Sequence, residues 1–436
     1  MHKEIIATID IGSSKIIAAA GEKDEKGTIH ILALETEATK TSVRRGRIYN
    51  VGEVSRKIES LLDRLNRQLN EKIVKVYVGV GGQSLMTETY SVVEETEGTI
   101  IDEELLQSLR EKCNDYYSDL LEVLDIVSPE YFVDGKSEKN PIGVSCNKIK
   151  AQFKLILGNP AIKRNINMCI SNSDMEIAGY FMAPLATANA TLTDLEKNLG
   201  CALIEFGAGV TYLSVYKNNL LKHLVTIPIG ADAITKDISS LNILEEEAED
   251  LKITYGHALV DGKKEDDYPA KITANDKEIN TEDLNDIIEA RVNEIIANIK
   301  NQLEISGFAN SLSSGIIIAG GGAALKSLAE SIEEKTKQKV RVSRVENEVT
   351  IGLLQLGTEN CVKKPEIPVM PPMQTGNTDI FGNTISDEKK KKGGERKIRE
   401  PQPEKPKKEG TGFISNIFDK MSKSLFEADD DVNDEK

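Results

Sequence analysis

The sequence predicts an α/β protein of two related lobes, with a small α+β unit inserted in the first and a polar linker and short amphipathic helix at the end. Three observations carry this. The chain opens on β-rich runs, KEIIATIDIG, KIIAAAG and TIHILALET, broken by Gly12-Ser13-Ser14 and by GEKDEKG, and a helical stretch then leads to the buried strand IVKVYVGVGG. The same logic returns at Cys201, where CALIEFGAGVTYLSVYKNNLLKHLVTIPIG again reads strand, small-residue turn, strand, turn, strand. Between the two, from about Leu85 to Gly158, the pattern changes before the α/β body resumes at NINMCIS.

The elements follow in order. In VGEVSRKIESLLDRLNRQLN, apolar residues Val54, Ile58, Leu61, Leu62, Leu65 and Leu69 recur at helical spacing. The inserted unit combines TYSVVE, a helical DEELLQSLREKCNDYY and two strand-like runs, EVLDIVSPEYFVDG and KIKAQFKLILG. After the second cycle come helical stretches at Ala231–Ile253 and Thr281–Ser306, then the strand–turn–helix pattern GIIIAGGGAALKSLAESIEE. Beyond Gly357 the apolar periodicity stops, and the proline-rich stretch from Val362 reads as linker.

Composition narrows the function. At 436 residues the chain is long for a single core. Its 39% hydrophobic and 29% charged content is ordinary for a soluble globular protein. A net charge of −16 argues against a nucleic-acid partner, which would call for a basic field. No apolar run approaches the ~20 residues that span a bilayer, and MHKEIIATID turns acidic too early for a signal peptide. The scattered cysteines Cys113, Cys146, Cys169, Cys201 and Cys361 have no CxxC spacing and read as reduced, mostly buried thiols.

Three turns have the chemistry of phosphate handling. Asp10 ends a strand before Gly12, Ser13, Ser14 and Lys15; glycine admits a ligand close to the backbone, N–H and hydroxyl groups suit phosphate oxygens, and the carboxylate suits Mg²⁺ held through water. About 195 residues later, Glu205 stands before Gly207, Ala208, Gly209 and Thr211 in the same plan. The third turn, Gly320, Gly321, Gly322 and Ala323, ends a strand and is expected to open a helix, with bare backbone for a nucleotide. Singly each is weak: the first reads equally as a plain hairpin, and the third fits neither a Walker A loop nor GxGxxG because of Leu325. Together they describe a nucleotide clamped between two related halves.

That order of motifs resembles the actin-like ATPase superfamily, which shares the ribonuclease-H-like lobe. Within it the chain resembles the FtsA family of bacterial cell-division proteins. The resemblance rests on TIDIGSSKIIAAAGE, VRRGRIYNVGEVSRKIESLL, VSPEYFVDG, NPIGVSCNKIKAQFKLILG, DLKITYGHAL, IIIAGGGAALKSL and IGLLQLG, and covers roughly residues 1–358 and the tail. It implies an actin-like two-lobed ATPase fold with residues 1–84 and 161–198 as the first lobe and 85–160 as the inserted subdomain. Residues 199–227 and 307–360 would form the second lobe, 228–306 its small subdomain, 361–411 a disordered basic linker and 412–427 a membrane-targeting helix.

Carried over, the resemblance implies ATP and Mg²⁺ as cofactors. Asp10 takes the metal side through water, with Glu205 as a weaker catalytic candidate. Gly12, Ser13, Ser14 and Lys15 face the β/γ phosphates, Gly207, Ala208, Gly209 and Thr211 form the second loop, and Gly320–Ala323 face adenosine. Glu249 and Lys252 would reach ribose or base, although solvated helix charges are the commoner explanation. Implied partners are the C-terminal tail of FtsZ, received by residues 228–306, further copies of the chain in a filament, anionic lipids of the inner membrane and downstream divisome proteins. The location implied is the cytoplasmic face of the membrane at the division site. The chain departs from the superfamily in having Glu205 for Asp and GAG for GGG or GGT. FMAPLATANATL offers no carboxylate or glutamine near Pro184 to orient water. A slow ATPase or an ATP-occupied switch is the expectation.

The tail reads as an anchor. At 100° per residue, Phe413, Ile414, Ile417, Phe418, Met421 and Leu425 fall within about 140°, with Lys420 and Lys423 outside. Residues Lys389–Lys408 hold ten basic and three acidic side chains, a +7 stretch that leaves −23 for the rest of a chain totalling −16. Each basic residue near an anionic leaflet is worth about 1 kcal/mol. Docking of this helix on a protein groove is the alternative, and the long polar tether favours the membrane. Single tails would bind reversibly, and a polymer would bind by avidity. Rival readings are a pilus-assembly actin-like protein, a heat-shock-type actin-like ATPase, for which no β-rich peptide domain follows, and a sugar or acetate kinase, for which no cleft acid stands out.

Overall fold

In the computed structural model, Ile5–Ile11 (β1), Lys15–Lys23 (β2) and Ile29–Ala38 (β3) form an antiparallel meander. The structure describes residues 4–363, apart from residues 25–26, 40, 172–174, 260–268 and 275–276. The chain divides into two units, Met1–Pro365 and Glu366–Lys436. The membrane-targeting helix expected at 412–427, and the linker beyond Lys363, lie outside the described residues.

A two-residue hairpin, Val43–Arg44 (β4) and Arg47–Ile48 (β5), precedes the helix Val51–Leu69 (α1). Asn50 caps α1 by accepting the Glu53 N–H at 3.0 Å, and Asn70 ends it in the left-handed conformation at φ 54°. Val54, Ile58, Leu61, Leu62 and Leu65 are buried at the predicted spacing, each worth ~1.5–3 kcal/mol over exposure. Lys75–Val80 (β6) then pairs parallel with β1.

The inserted segment contains Met86–Glu95 (β7), Glu103–Glu111 (α2), Glu122–Val133 (β8), Lys136–Glu138 (β9) and Lys148–Gly158 (β10). Strand β10 lies between β7 and β8, antiparallel to both. Its inward residues Ile149, Ala151, Phe153 and Leu155 pack with Val92, Ile101 and Leu109 in a core of their own.

Ala161–Ile170 (α3) and Glu176–Met182 (β11) complete the first sheet, ordered β11-β6-β1-β2-β3. Ala183–Thr191 (α4) and Asp194–Leu199 (α5) lead to a second meander, Cys201–Phe206 (β12), Thr211–Lys217 (β13) and Leu220–Ile227 (β14). Strand β14 meets β7 at Val225 and Met86, and the Thr226 N–H donates to the Leu85 carbonyl at 2.9 Å. The inserted strands thereby continue the second meander rather than form a separate sheet.

The stretch expected to be helical over Ala231–Ile253 is two helices, Ala231–Ser239 (α6) and Glu245–Tyr255 (α7). The break falls at Ser239-Ser240-Leu241-Asn242, where Asn242 adopts φ 59°. Lys271–Ala274 (β15) and Lys277–Asn280 (β16) pair ahead of Thr281–Ser306 (α8), which has its predicted bounds. Ile316–Ala319 (β17) pairs parallel with β12, Leu328–Thr336 (α9) follows, and Val340–Val342 (β18) pairs with β17.

The last helix among the described residues, Glu348–Leu356 (α10), packs on α4 and on β1, β2 and β6. Gly352 lies against the Ala186 carbonyl so closely that no Cβ fits there. The Cys361 N–H donates to Ile5 at 2.7 Å, and the Cys361 carbonyl accepts from Val74 and Lys75. Helix α10 thus lies on the first sheet, and Cys361 and Val362, where the sequence reading began the linker, are held at its edge, Val362 bridging Ile73. All five cysteines are free and buried.

Candidate nucleotide cleft

The two meanders carry the same hairpin. In the first, Ile11 lies opposite Ile16 and Asp10 opposite Ile17, and the Gly12 N–H closes the turn on the Lys15 carbonyl at 3.0 Å. In the second, Phe206 lies opposite Thr211 and Glu205 opposite Tyr212, with the Gly207 N–H closing on Val210 at 3.0 Å. Asp10 and Glu205 thus hold equivalent stations.

The hairpins meet. A Cβ on Gly209 would run into the Ser13 hydroxyl and stand 2.9 Å from the Arg45 Cα, so only glycine lets the second loop approach the first. Ser13 Oγ accepts the Gly46 N–H at 2.8 Å, and the Thr39 N–H donates to Ser14 at 3.0 Å. Ser14 and Lys15 are exposed, while Gly12, Ser13, Gly207, Ala208 and Gly209 are partly buried.

Carboxylates gather beneath the loops. Burial pushes Asp10 up to about 6, opposed by Lys15. Burial also raises Glu205 to about 8; the Thr187 hydroxyl on α4 offsets part of this, and the charges of Asp10 and Glu348 add to it. The Thr187 hydroxyl is near enough to Glu205 to act on its charge, yet Glu205 Oε2 and Thr187 Oγ1 are both buried with no partner at hydrogen-bond geometry. An orphaned carboxylate oxygen near two further acids fits a divalent cation. Among the described residues no group of three or more His, Cys, Asp or Glu side chains stands close enough to hold a metal ion directly.

The second loop is held from below. The Ala231 and Asp232 N–H groups, at the start of α6, donate to the carbonyls of Gly207 and Ala208 at 3.0 and 2.8 Å. The Thr211 hydroxyl, expected among the phosphate contacts, is buried and donates to Ile229 at 2.8 Å. Lys252 is also buried: its ammonium donates to Ala231 at 3.2 Å, Thr235 at 2.8 Å and Glu249 at 2.6 Å. Lys252 and Glu249 are therefore engaged with each other and with α6.

The glycine triplet divides by access. A Cβ on Gly320 or Gly322 would stand 2.8 or 2.9 Å from the Phe206 carbonyl, whereas Gly321 faces open space. Ala323 is buried in the second core. The turn is a short 3₁₀ segment, Gly321–Ala324, and the α-helix starts only at Leu328, correcting the expected direct strand-to-helix turn. The Gly320 N–H donates to Glu348 at 3.3 Å, and the Ala258 N–H, from DLKITYGHAL, donates to Lys326 at 2.8 Å.

The structure thus sets Asp10, the two hairpin loops and the triplet beside one another. Sequence reading missed Thr187, Glu348, Arg45 and Gly46. The turn-forming Arg-Gly pair was the one local signal for the last two.

Comparisons agree with this architecture. Residues 202–368 match the family model described as cell division protein FtsA. A cell division protein FtsA of Porphyromonas gingivalis is 32% identical over 380 residues, covering 82% of this chain and 79% of the relative. That of Bacillus subtilis is 30% identical over 355 residues, covering 78% and 79%. A chain of the PilM-PilN type IV pilus biogenesis complex superposes with a TM-score of 0.56 at 14% identity, covering 80% of this chain and 97% of that one, a likeness of fold alone. With twin hairpins on an actin-like fold and a relative of this identity along most of its length, the chain belongs to the cell division protein FtsA family.

Proposed function

We propose that the chain binds ATP with Mg²⁺ between its two hairpins, assembles with further copies of itself, and tethers FtsZ to the membrane at the division site. The observation that carries the nucleotide reading is the contact of Ser13 with Gly209, which joins two equivalent carboxylate-bearing turns. The Mg²⁺ ion would supply positive charge beside the buried acids, and ATP the phosphate oxygens that the loops suit.

The chain's own groups do the rest. Asp10 and Glu205 would hold the metal through water, the Gly12–Lys15 turn and Gly207–Gly209 would line the phosphates, and the Gly320–Ala323 turn, open at Gly321, would face adenosine. Because α10 packs on the first sheet while Glu348 accepts from Gly320, filling the cleft bears on both lobes at once. The amphipathic run Phe413–Leu425 supports the membrane reading, and assembly would multiply its weak grip. Anionic lipids are the favoured surface, given the basic stretch before it.

The test is co-sedimentation of the full chain with anionic liposomes, with and without ATP–Mg²⁺, beside a chain cut at Glu409. ATP should increase pelleting of the full chain, and the cut chain should stay in solution. Equal pelleting of the cut chain contradicts the anchor, and indifference to ATP contradicts nucleotide-driven assembly.

A further inference from the structure

We propose that Arg45, at the tip of the β4–β5 hairpin, is a charge ligand for the terminal phosphate of a nucleoside triphosphate. The proposal rests on the reading of the cleft as an ATP site, and it adds an element that none of the three glycine-rich turns contains.

Position comes first. The hairpin tip is wedged between the two loops: the Gly46 N–H donates to Ser13 Oγ at 2.8 Å, and a Cβ on Gly209 would lie 2.9 Å from both the Cα and the N of Arg45. Behind the tip, a Cβ on Gly46 would stand 2.9 Å from the Gly82 Cα. The Gly82 N–H in turn donates to the Tyr212 hydroxyl at 2.7 Å, and Tyr212 lies opposite Glu205. The backbone of Arg45 is thus fixed where both phosphate loops converge.

Conformation is the second observation. Arg45 and Gly46 have φ of 49° and 71°, as a two-residue hairpin turn of this twist requires. Asn, Asp or Gly suits the first of these positions, Gly for want of a Cβ and Asn or Asp through a short side chain that bonds locally, and arginine has neither advantage. Elsewhere asparagine holds this conformation at Asn70, Asn218, Asn219, Asn242 and Asn347, and Glu97, Asp134, Ser327 and Lys337 adopt it too; what sets Arg45 apart is its place against both loops. A residue held against its backbone preference at a convergence of ligand-binding loops points to use of its side chain.

Charge is the third. Asp10, Glu205 and Glu348 lie under the loops, and a triphosphate entering there needs cations from the chain as well as from Mg²⁺. Guanidinium recognises phosphate oxygens with two parallel donors. The guanidinium of Arg44, the residue before it, stands 4.4 Å above the Tyr49 ring.

The experiment compares full-length wild type with Arg45→Asn, Arg45→Lys and Asp10→Ala. ATP–Mg²⁺ and ADP–Mg²⁺ affinities are read by competition against a fluorescent ATP analogue, with ligand-free melting as the control. Asparagine keeps the turn, so Arg45→Asn should melt at or above the wild-type temperature. It should also lose about tenfold in ATP affinity, while ADP affinity changes less than twofold. Lysine should restore part of the loss. Wild-type ATP affinity in Arg45→Asn while Asp10→Ala binds poorly would overturn the role of Arg45 and leave the cleft reading intact. Equal losses for ATP and ADP, or a lowered melting temperature, would overturn the terminal-phosphate assignment. A wild-type chain that binds neither nucleotide would overturn both readings.

Discussion

Asp10 and Glu205 hold the same place in two copies of one hairpin, one opposite Ile17 and the other opposite Tyr212, each two residues before the glycine that closes the turn. Burial lifts both, to about 6 and about 8, from ordinary values of 3.8 and 4.5. The folded chain therefore keeps protons that the unfolded chain releases. The stability linked to these groups is full below about pH 4 and declines as pH rises through about 8. Glu205→Gln should remove much of that loss, so the ligand-free variant melts higher than wild type at pH 8 and similarly at pH 4. Melting curves across this range check it, and a variant no more stable at pH 8 contradicts the raised Glu205.

Contact between the loops makes a sharper demand. Gly209→Val places a branched side chain against Ser13 and the Arg45 backbone, which fixed elements of both hairpins hold in place. The variant should fold and lose tenfold or more in ATP affinity, measured by titration calorimetry. Unchanged affinity would separate the loops from the binding site.

The triplet provides a paired test. Gly322→Ala drives a methyl into Phe206 and should destabilise the chain by about 1–3 kcal/mol. Gly321→Ala meets open space, so it should melt like wild type yet weaken ATP binding where adenosine rests. Melting and affinity on the same two proteins distinguish packing from recognition.

Thr211 tests the opposite case. Its buried hydroxyl donates to Ile229, and Thr211→Val should lower stability by about 1–3 kcal/mol, leaving ATP affinity within twofold. A large affinity loss without destabilisation would return Thr211 to the phosphates.

Short-range pattern made much of this architecture legible. The hairpins, the apolar stripe of α1 and the span Thr281–Ser306 follow from local periodicity and turn residues. What escaped depends on distant partners. The docking of Cys361 between Ile5 and Val74 joins residues that are far apart in sequence, and nothing local in IGLLQLGTENCV marks it. Lys252 and Glu249 were expected to reach ribose or base, with solvated helix charges as the commoner explanation; their mutual pairing and the burial of the lysine arise only when α7 packs on α6. Thr187 sits in an alanine-rich helix where one hydroxyl carries no signal until Glu205 is placed beside it. The equivalence of Asp10 and Glu205 was legible in the two turns and the register bears it out, while Arg45 and Gly46 needed the fold.

The clamp itself is tested most directly by calorimetric titration of ATP–Mg²⁺ into the full chain and into Asp10→Ala. One site per chain, weakened tenfold or more by the substitution, is the predicted result. Absence of binding to the wild-type chain, or wild-type affinity in Asp10→Ala, would contradict it.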